Sequence, residues 1–354
     1  MEEPRGGPPA NAENREAMVE SVWVNIGWAA LALLVILVSC EFFTNGIEWL
    51  GRTLSLPDGA IGSVLAAVGT ALPETIVPLI AILVIGGHSG HEVGIGGIMG
   101  APFMLGTLGF FVTGLGVLLF ARRRPTGRQM VVKADVLRWD VGVFIGAYAV
   151  AIAAALLPQH WQKMVVAGLL LVGYVLYVRR HFSHGPDEEE PPELPALYLR
   201  WRDRDVMPHI GYTVIQSGLG LVGIILGARF FVTNLTGVCS QLGTDPRLLA
   251  LIIVPIATEL PEKFNSVIWV RQGKDTLAIG NITGAMVFQS CIPVSVGLLF
   301  TSWELQYADV LSAMVALVSS AVLLTSLLLG RRLSPWVLIG GLAGYALFLT
   351  LVLT

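Results

Sequence analysis

The sequence predicts an all-α, polytopic membrane protein of about ten transmembrane helices in two inverted five-helix repeats. Three observations predict it. The 354 residues are 54% hydrophobic and 13% charged, against about 25% charge in a soluble globular chain, and the mean hydropathy is +0.72. The apolar residues fall in runs of the ~20 residues that a helix needs to cross hydrocarbon. A short phrase is also written twice. Residues 68–74 read VGTALPE and residues 256–262 read IATELPE, which sets Thr70 against Thr258, Pro73 against Pro261 and Glu74 against Glu262, 188 positions apart.

Residues 1–20 are polar, with Pro and Gly, and read as a short disordered tail, not a basic leader. The first span, 21–43, is a continuous apolar run. The second, 58–86, holds the first copy of the phrase, and the third, 93–120, is rich in glycine and stops at Arg122-Arg123-Arg124, a topology anchor where anionic lipid can bind. Spans at 137–157 and 161–180 complete a first half, 21–180. Residues 181–206 are charged and proline-rich, cannot bury themselves, and read as a cytoplasmic linker. A second half, 207–354, has spans at 207–234, 246–270 (with the second copy of the phrase), 276–302, 307–329 and 334–353. Trp161, Trp303, Tyr307 and Trp336 near span ends read as interface residues. Cys40, Cys239 and Cys291 lie in or beside apolar segments with no C-x-x-C, and read as small hydrophobes.

Basic residues orient the chain, because cytoplasmic loops carry the excess of Lys and Arg. With the N-terminus outside, 16 of the 22 fall on internal loops and helix ends: Arg52; Arg122, Arg123, Arg124, Arg128, Lys133 and Arg138; Arg179, Arg180, Arg200, Arg202 and Arg204; Arg271 and Lys274; Arg331 and Arg332. Both termini are then outside, and the spans with Glu74 and Glu262 run in opposite directions. The repeat extends on either side of the phrase. Phe42-Phe43-Thr44-Asn45 matches Phe230-Phe231-Val232-Thr233-Asn234 with one residue of slip. Ile95-Gly96-Gly97-Ile98-Met99-Gly100-Ala101 matches Ile279-Gly280-Asn281-Ile282-Thr283-Gly284-Ala285 at an offset of 184, so the first copy has a longer loop around Gly86–His91.

A carboxylate in an apolar span is expensive unless something binds it. Pro73 and Pro261 lack an N–H and should interrupt their helices near Gly69-Thr70 and Ala257-Thr258. Freed carbonyls, threonine hydroxyls and two glutamates are oxygen ligands of the kind a hard cation takes, calcium or sodium. Inverted repeats with interrupted helices at the midplane are a plan of secondary transporters.

These residues resemble the cation/calcium exchanger superfamily, which includes sodium/calcium and calcium/proton exchangers. Its two repeats look like G-T-S-x-P-E and, after a loop, G-N-x-x-G-S-N-x-F-N. Here the first motif is Gly69-Thr70-Ala71-Leu72-Pro73-Glu74 and Ala257-Thr258-Glu259-Leu260-Pro261-Glu262. The second begins Gly96-Gly97-Ile98-Met99-Gly100-Ala101 and Gly280-Asn281-Ile282-Thr283-Gly284-Ala285. The resemblance covers all ten spans. It implies a five-plus-five inverted fold, an ion site between the second, third, seventh and eighth spans, and antiport by alternating access. It makes Glu74 and Glu262 the central calcium ligands and Thr70 and Thr258 their backbone and hydroxyl helpers. This chain departs from the pattern: Ala71 and Glu259 stand where the family has Ser, Ala101 and Ala285 replace a second Ser, and the last ligand position is Leu105 or Gln289. These departures remove most sodium-type hydroxyl ligands.

Two readings stay open at Glu259: an added ligand or proton carrier, or a structural partner of Lys263 at i,i+4. Lys263 either snorkels or pairs, Glu41 faces the bundle or the interface, Asn45 and Asn234 join helices or line an ion path, and His88, His91 and Glu92 form an external loop. The expected metal-ligating set is Glu74, Glu262, Thr70, Thr258, Glu259 and Gln289, with calcium as transported cation, protons or sodium as counter-ion, and no resident cofactor. No P-loop is present, so ATP hydrolysis is unsupported; nothing points to an enzyme, to nucleic acid or to a protein partner. Partners are inorganic cations and membrane lipids. Short loops and the lack of a transit peptide favour a prokaryotic plasma membrane. The alternatives are a cation-binding sensor or scaffold that no longer cycles, and an exchanger of another cation such as manganese, magnesium or potassium.

Overall fold

The computed structural model describes residues 12–54, 72–183, 196–200, 208–330 and 332–354; of 12–20, 72–73, 181–183, 260–262, 264–265 and 332 only the backbone is described. The chain is almost wholly helical. Its helices are α1 (Ala12–Thr53), α2 (Leu72–Ile80), α3 (Gly87–Met104), α4 (Phe110–Leu119), α5 (Ala134–Ala153), α6 (His160–Ser183), α7 (Ile210–Leu242), α8 (Pro246–Arg271), α9 (Asp275–Phe300), α10 (Tyr307–Leu329), α11 (Pro335–Ile339) and α12 (Gly341–Leu353). Two-residue strands β1 (Met130–Val131) and β2 (Arg332–Leu333) pair antiparallel and tie the loop after α4 to the loop after α10.

Eight stretches among the described residues are long and apolar enough to cross a membrane: 21–53, 87–119, 134–156, 160–180, 210–242, 275–300, 307–329 and 335–353. Glu74–Ile85 is a shorter apolar helix, and α8 adds 26 residues. Element edges follow local chemistry. Asp245 caps α8, its carboxylate accepting from the Arg247 N–H at 2.8 Å, with Pro246 at the first helical position. Gln306 and Asp309 form a reciprocal box at the start of α10.

Several expectations shift. α1 starts at Ala12, inside the segment read as tail, because 12–20 is rich in Ala, Glu and Arg and extends the helix outward from the span. The longer loop at 86–91 is instead a reversal at Gly86 and Gly87, both with positive φ (61° and 62°), and His88 and His91 lie in the first turns of α3. A π-helical turn at Leu105–Gly109 joins α3 and α4 into one span. The interruption expected near Ala257-Thr258 is absent: α8 runs as continuous helix from Pro246 to Arg271. Membrane helices tolerate interior prolines where other groups take up the freed backbone. The Thr258 hydroxyl donates to the Val254 carbonyl at 3.0 Å. Pro255 leaves the Leu251 carbonyl without its helix donor, and Gly100 of α3 lies directly against that carbonyl, where any side chain would collide. Gly96 meets the Arg247 carbonyl one turn earlier in the same way.

Two apolar cores result. The larger is built from α3 to α6 and α8 to α12, with Phe103, Phe110, Phe144, Tyr148 and Trp303 fully buried. The smaller joins Ala29, Ala32, Ile36 and Cys40 of α1 to Ile224, Ala228 and Phe231 of α7, with Ile76 and Val77 of α2 and Ala250 and Val254 of α8. Small residues let α1 and α7 approach closely: Gly220 abuts the Phe43 backbone, and Gly223 abuts Ser39.

Candidate functional site

α2, α8 and α9 pack against one another in the bundle interior, and each contributes buried polar groups. Glu74 on α2, Thr258, Glu259 and Lys263 on α8, and Gln289 on α9 are each at most 4% exposed. Gln289 Nε2 donates to Glu259 Oε1 at 3.2 Å, so the structure brings two of the expected ligands into direct contact across α8 and α9. Gln289 Oε1 and, eight residues (~12 Å) earlier on α9, Asn281 Nδ2 are buried without a hydrogen-bond partner among the described residues. Such atoms are costly in an apolar interior and suit a site that takes a polar guest. Thr258 sits beside Glu259 with its hydroxyl turned to its own helix. Thr70 lies outside the described residues, and so does the side chain of Glu262, whose backbone is part of α8. Among the described residues, no three His, Cys, Asp or Glu side chains form a ready-made metal cage.

Lys263 does not snorkel: it is among the largest fully buried side chains. Glu41 faces outward and accepts from the Tyr198 hydroxyl at 2.6 Å. Burial, then that bond to the Glu41 carboxylate, pushes the Tyr198 phenol up to about 12. Asn45 is committed to the linker. Its Oδ1 accepts from the Tyr198 N–H at 3.2 Å and from Gln216 Nε2 at 2.8 Å. Asn234 donates to the Phe230 carbonyl of its own helix at 2.7 Å.

Three buried polar groupings had no signal in the periodicity. At one end of the bundle, Arg247 at the start of α8 pairs with Asp309 of α10 at 2.8 Å and with Glu92 of α3 at 3.4 Å, and Gln306 donates to Glu92 at 3.1 Å. At the other end, Arg124 pairs with Asp275 of α9 at 2.8 Å and donates to the Val270 carbonyl that ends α8. Deeper in, Asp140 of α5 accepts from the Tyr177 hydroxyl of α6 at 2.9 Å and the Thr283 hydroxyl of α9 at 3.0 Å. Asp275 and Asp309 read in sequence as ordinary first-turn residues; only their distant partners mark them.

Comparison with known proteins places this architecture. The family model described as sodium/calcium exchanger protein matches residues 24–181 and 212–354. The inner membrane protein YrbG of Escherichia coli (strain K12) is 27% identical over 283 residues, covering 78% of this chain and 79% of that protein. Among solved structures, the H+/Ca2+ exchanger CAX superposes with a TM-score of 0.70 at 17% identity, over 96% of this chain and 87% of that one. The sodium-calcium exchanger NCX_Mj superposes with a TM-score of 0.56 at 20% identity, over 93% and 98%. At these identities the two structures speak for the fold.

Proposed function

The chain belongs to the sodium/calcium exchanger protein family, and from that premise we propose that it is a secondary antiporter exchanging calcium for protons or sodium by alternating access. The observation that carries the reading is the buried pairing of Glu259 with Gln289, on helices packed against the one that bears the buried Glu74. The proposed ligand set is Glu74, Glu262, Thr70, Thr258, Glu259 and Gln289. It is an all-oxygen set of the kind calcium takes. No resident cofactor is proposed; the cation is cargo.

The proposed frame is ten spans in two inverted halves, 21–180 and 207–354, with the linker 181–206 inside and both termini outside a prokaryotic plasma membrane. α2 then carries the end of the first copy of the acidic phrase, 72–74, and α8 the whole of the second. Coupling follows from charge. Bare carboxylates crossing a closed, dry state are costly, so the emptied site must be neutralised before it reorients. Protons do this by binding the glutamates. Sodium would need oxygen ligands that Ala71, Ala101 and Ala285 cannot supply, so protons are the favoured counter-ion.

The test is uptake of radioactive calcium into inside-out vesicles, driven separately by a proton and by a sodium gradient. Proton-driven uptake is expected, with manganese, magnesium and potassium added as competitors to rank the cargo. No flux of any of these cations under either gradient, from protein that is folded and inserted, rejects the antiporter. A second reading rests on the depleted ligand set, with Ala71, Ala101, Ala285 and Leu105 at positions where the family pattern has oxygen donors. It makes the chain a cation-binding sensor or scaffold on the exchanger fold, and calcium binding without flux would select it.

A further inference from the structure

α1 and α7 bound a cleft of about 650 Å³ on the outer surface of the bundle, lined by Leu31, Ala32 and Val35 on one side and Leu226, Gly227, Arg229, Phe230 and Thr233 on the other. That volume is of ligand size, within the ~300–1,000 Å³ usual for binding clefts. The lining is apolar except for Arg229 and Thr233, and the Thr233 hydroxyl donates to the Arg229 carbonyl. Leu31, Val35, Leu226, Arg229 and Phe230 are all exposed. In an integral membrane protein, such a face on two long spans looks at lipid.

Arg229 is the one charged residue in that lining. At ~50 Å, α7 is longer than the ~30 Å of hydrocarbon, and the 207–234 span ends five residues beyond Arg229, about 8 Å along the axis, which sets the guanidinium near the level of the lipid headgroups. Among the described residues no acidic side chain pairs with it. The same register in the first half holds Glu41, 188 positions earlier, and Glu41 is satisfied by the Tyr198 hydroxyl. A lipid-facing arginine at that level, without a protein carboxylate beside it, draws its counter-charge from a headgroup, and here it borders an apolar cleft. Trp28 packs edge-on against Phe230 of the lining, with ring centroids 5.7 Å apart.

We propose that the α1–α7 cleft is a binding site for one anionic phospholipid, its phosphate drawn onto the Arg229 guanidinium and an acyl chain lying along Leu31, Val35 and Leu226. Charge complementarity selects the occupant. A zwitterionic lipid brings its own cation to the phosphate, whereas an anionic one leaves the phosphate charge for arginine. The site is independent of the cation ligands and of whether the chain transports calcium.

Native mass spectrometry of the full chain, with phosphatidylglycerol and phosphatidylcholine offered in equal amounts, tests it. One phosphatidylglycerol should survive activation energies that strip phosphatidylcholine. In Arg229→Gln its retention should fall roughly five-fold, the weight of one lost basic contact at a membrane. Leu226→Trp keeps the charge and fills the cleft from an exposed position, and should lose the same lipid. Equal retention of both lipids by the natural chain overturns the proposal without any variant. So does unchanged phosphatidylglycerol binding in both variants, displacement of the lipid by inorganic phosphate alone, or a dimer seated on this face in place of lipid.

Discussion

At the scale of single residues, buried polar groups concentrate on α8. Glu259 departs from the pattern this chain otherwise resembles, and the structure gives it a partner, Gln289, at another departed position. Two unusual residues that meet each other are better explained as one altered site than as two independent drifts. Glu259→Gln keeps the size and the hydrogen-bonding capacity and removes the charge. The half-saturating calcium concentration in the vesicle assay should rise about ten-fold or more, since a bond to a charged group is worth ~1.5–3 kcal/mol, and the pH profile of flux should move with it. An unchanged affinity and profile would leave Glu259 a structural residue. Glu74 and Glu262 were legible from the sequence because the phrase around them recurs. The Glu259–Gln289 contact was not, because it joins positions 30 residues apart on different helices, and no local pattern encodes which faces meet.

At the scale of elements, glycine placement decides how closely helices pack. Gly100 of α3 faces the Leu251 carbonyl and the Pro255 ring of α8, while Gly142 of α5 has open space where a side chain would stand. Gly100→Leu should therefore destabilise by ~1–3 kcal/mol or more through overpacking, and lower calcium flux by shifting α8. Gly142→Ala should be neutral or stabilise by up to ~1 kcal/mol through helix propensity. Thermal unfolding in detergent separates the two, and equal behaviour of both variants would refute the packing argument. Sequence reasoning found the third span rich in glycine. It placed a break in α8 that the structure does not contain, since a proline removes one helix hydrogen bond without having to end a membrane helix.

At the scale of the molecule, charge networks brace both ends of the bundle: Arg247 with Asp309 and Glu92 at one end, Arg124 with Asp275 at the other. The proposed topology puts the first group outside and the second inside. With the three native cysteines buried, single cysteines can report the two faces. His88→Cys, at a side chain 89% exposed, should react with a membrane-impermeant thiol reagent on intact cells. Arg128→Cys, also exposed, should react only after permeabilisation. The reverse pattern would invert the orientation and the direction assigned to each gradient. By itself the sequence determined the membrane class, most span edges, the duplicated acidic phrase and the exchanger family, because hydropathy, proline and glycine spacing and a recurrent motif are properties of adjacent residues. Only the tertiary structure decided that α8 is unbroken, that Lys263 is buried, that Glu259 meets Gln289, and that Arg229 borders an apolar cleft. Each of those depends on which distant surfaces come together, and burial and pairing between distant surfaces are consequences of packing.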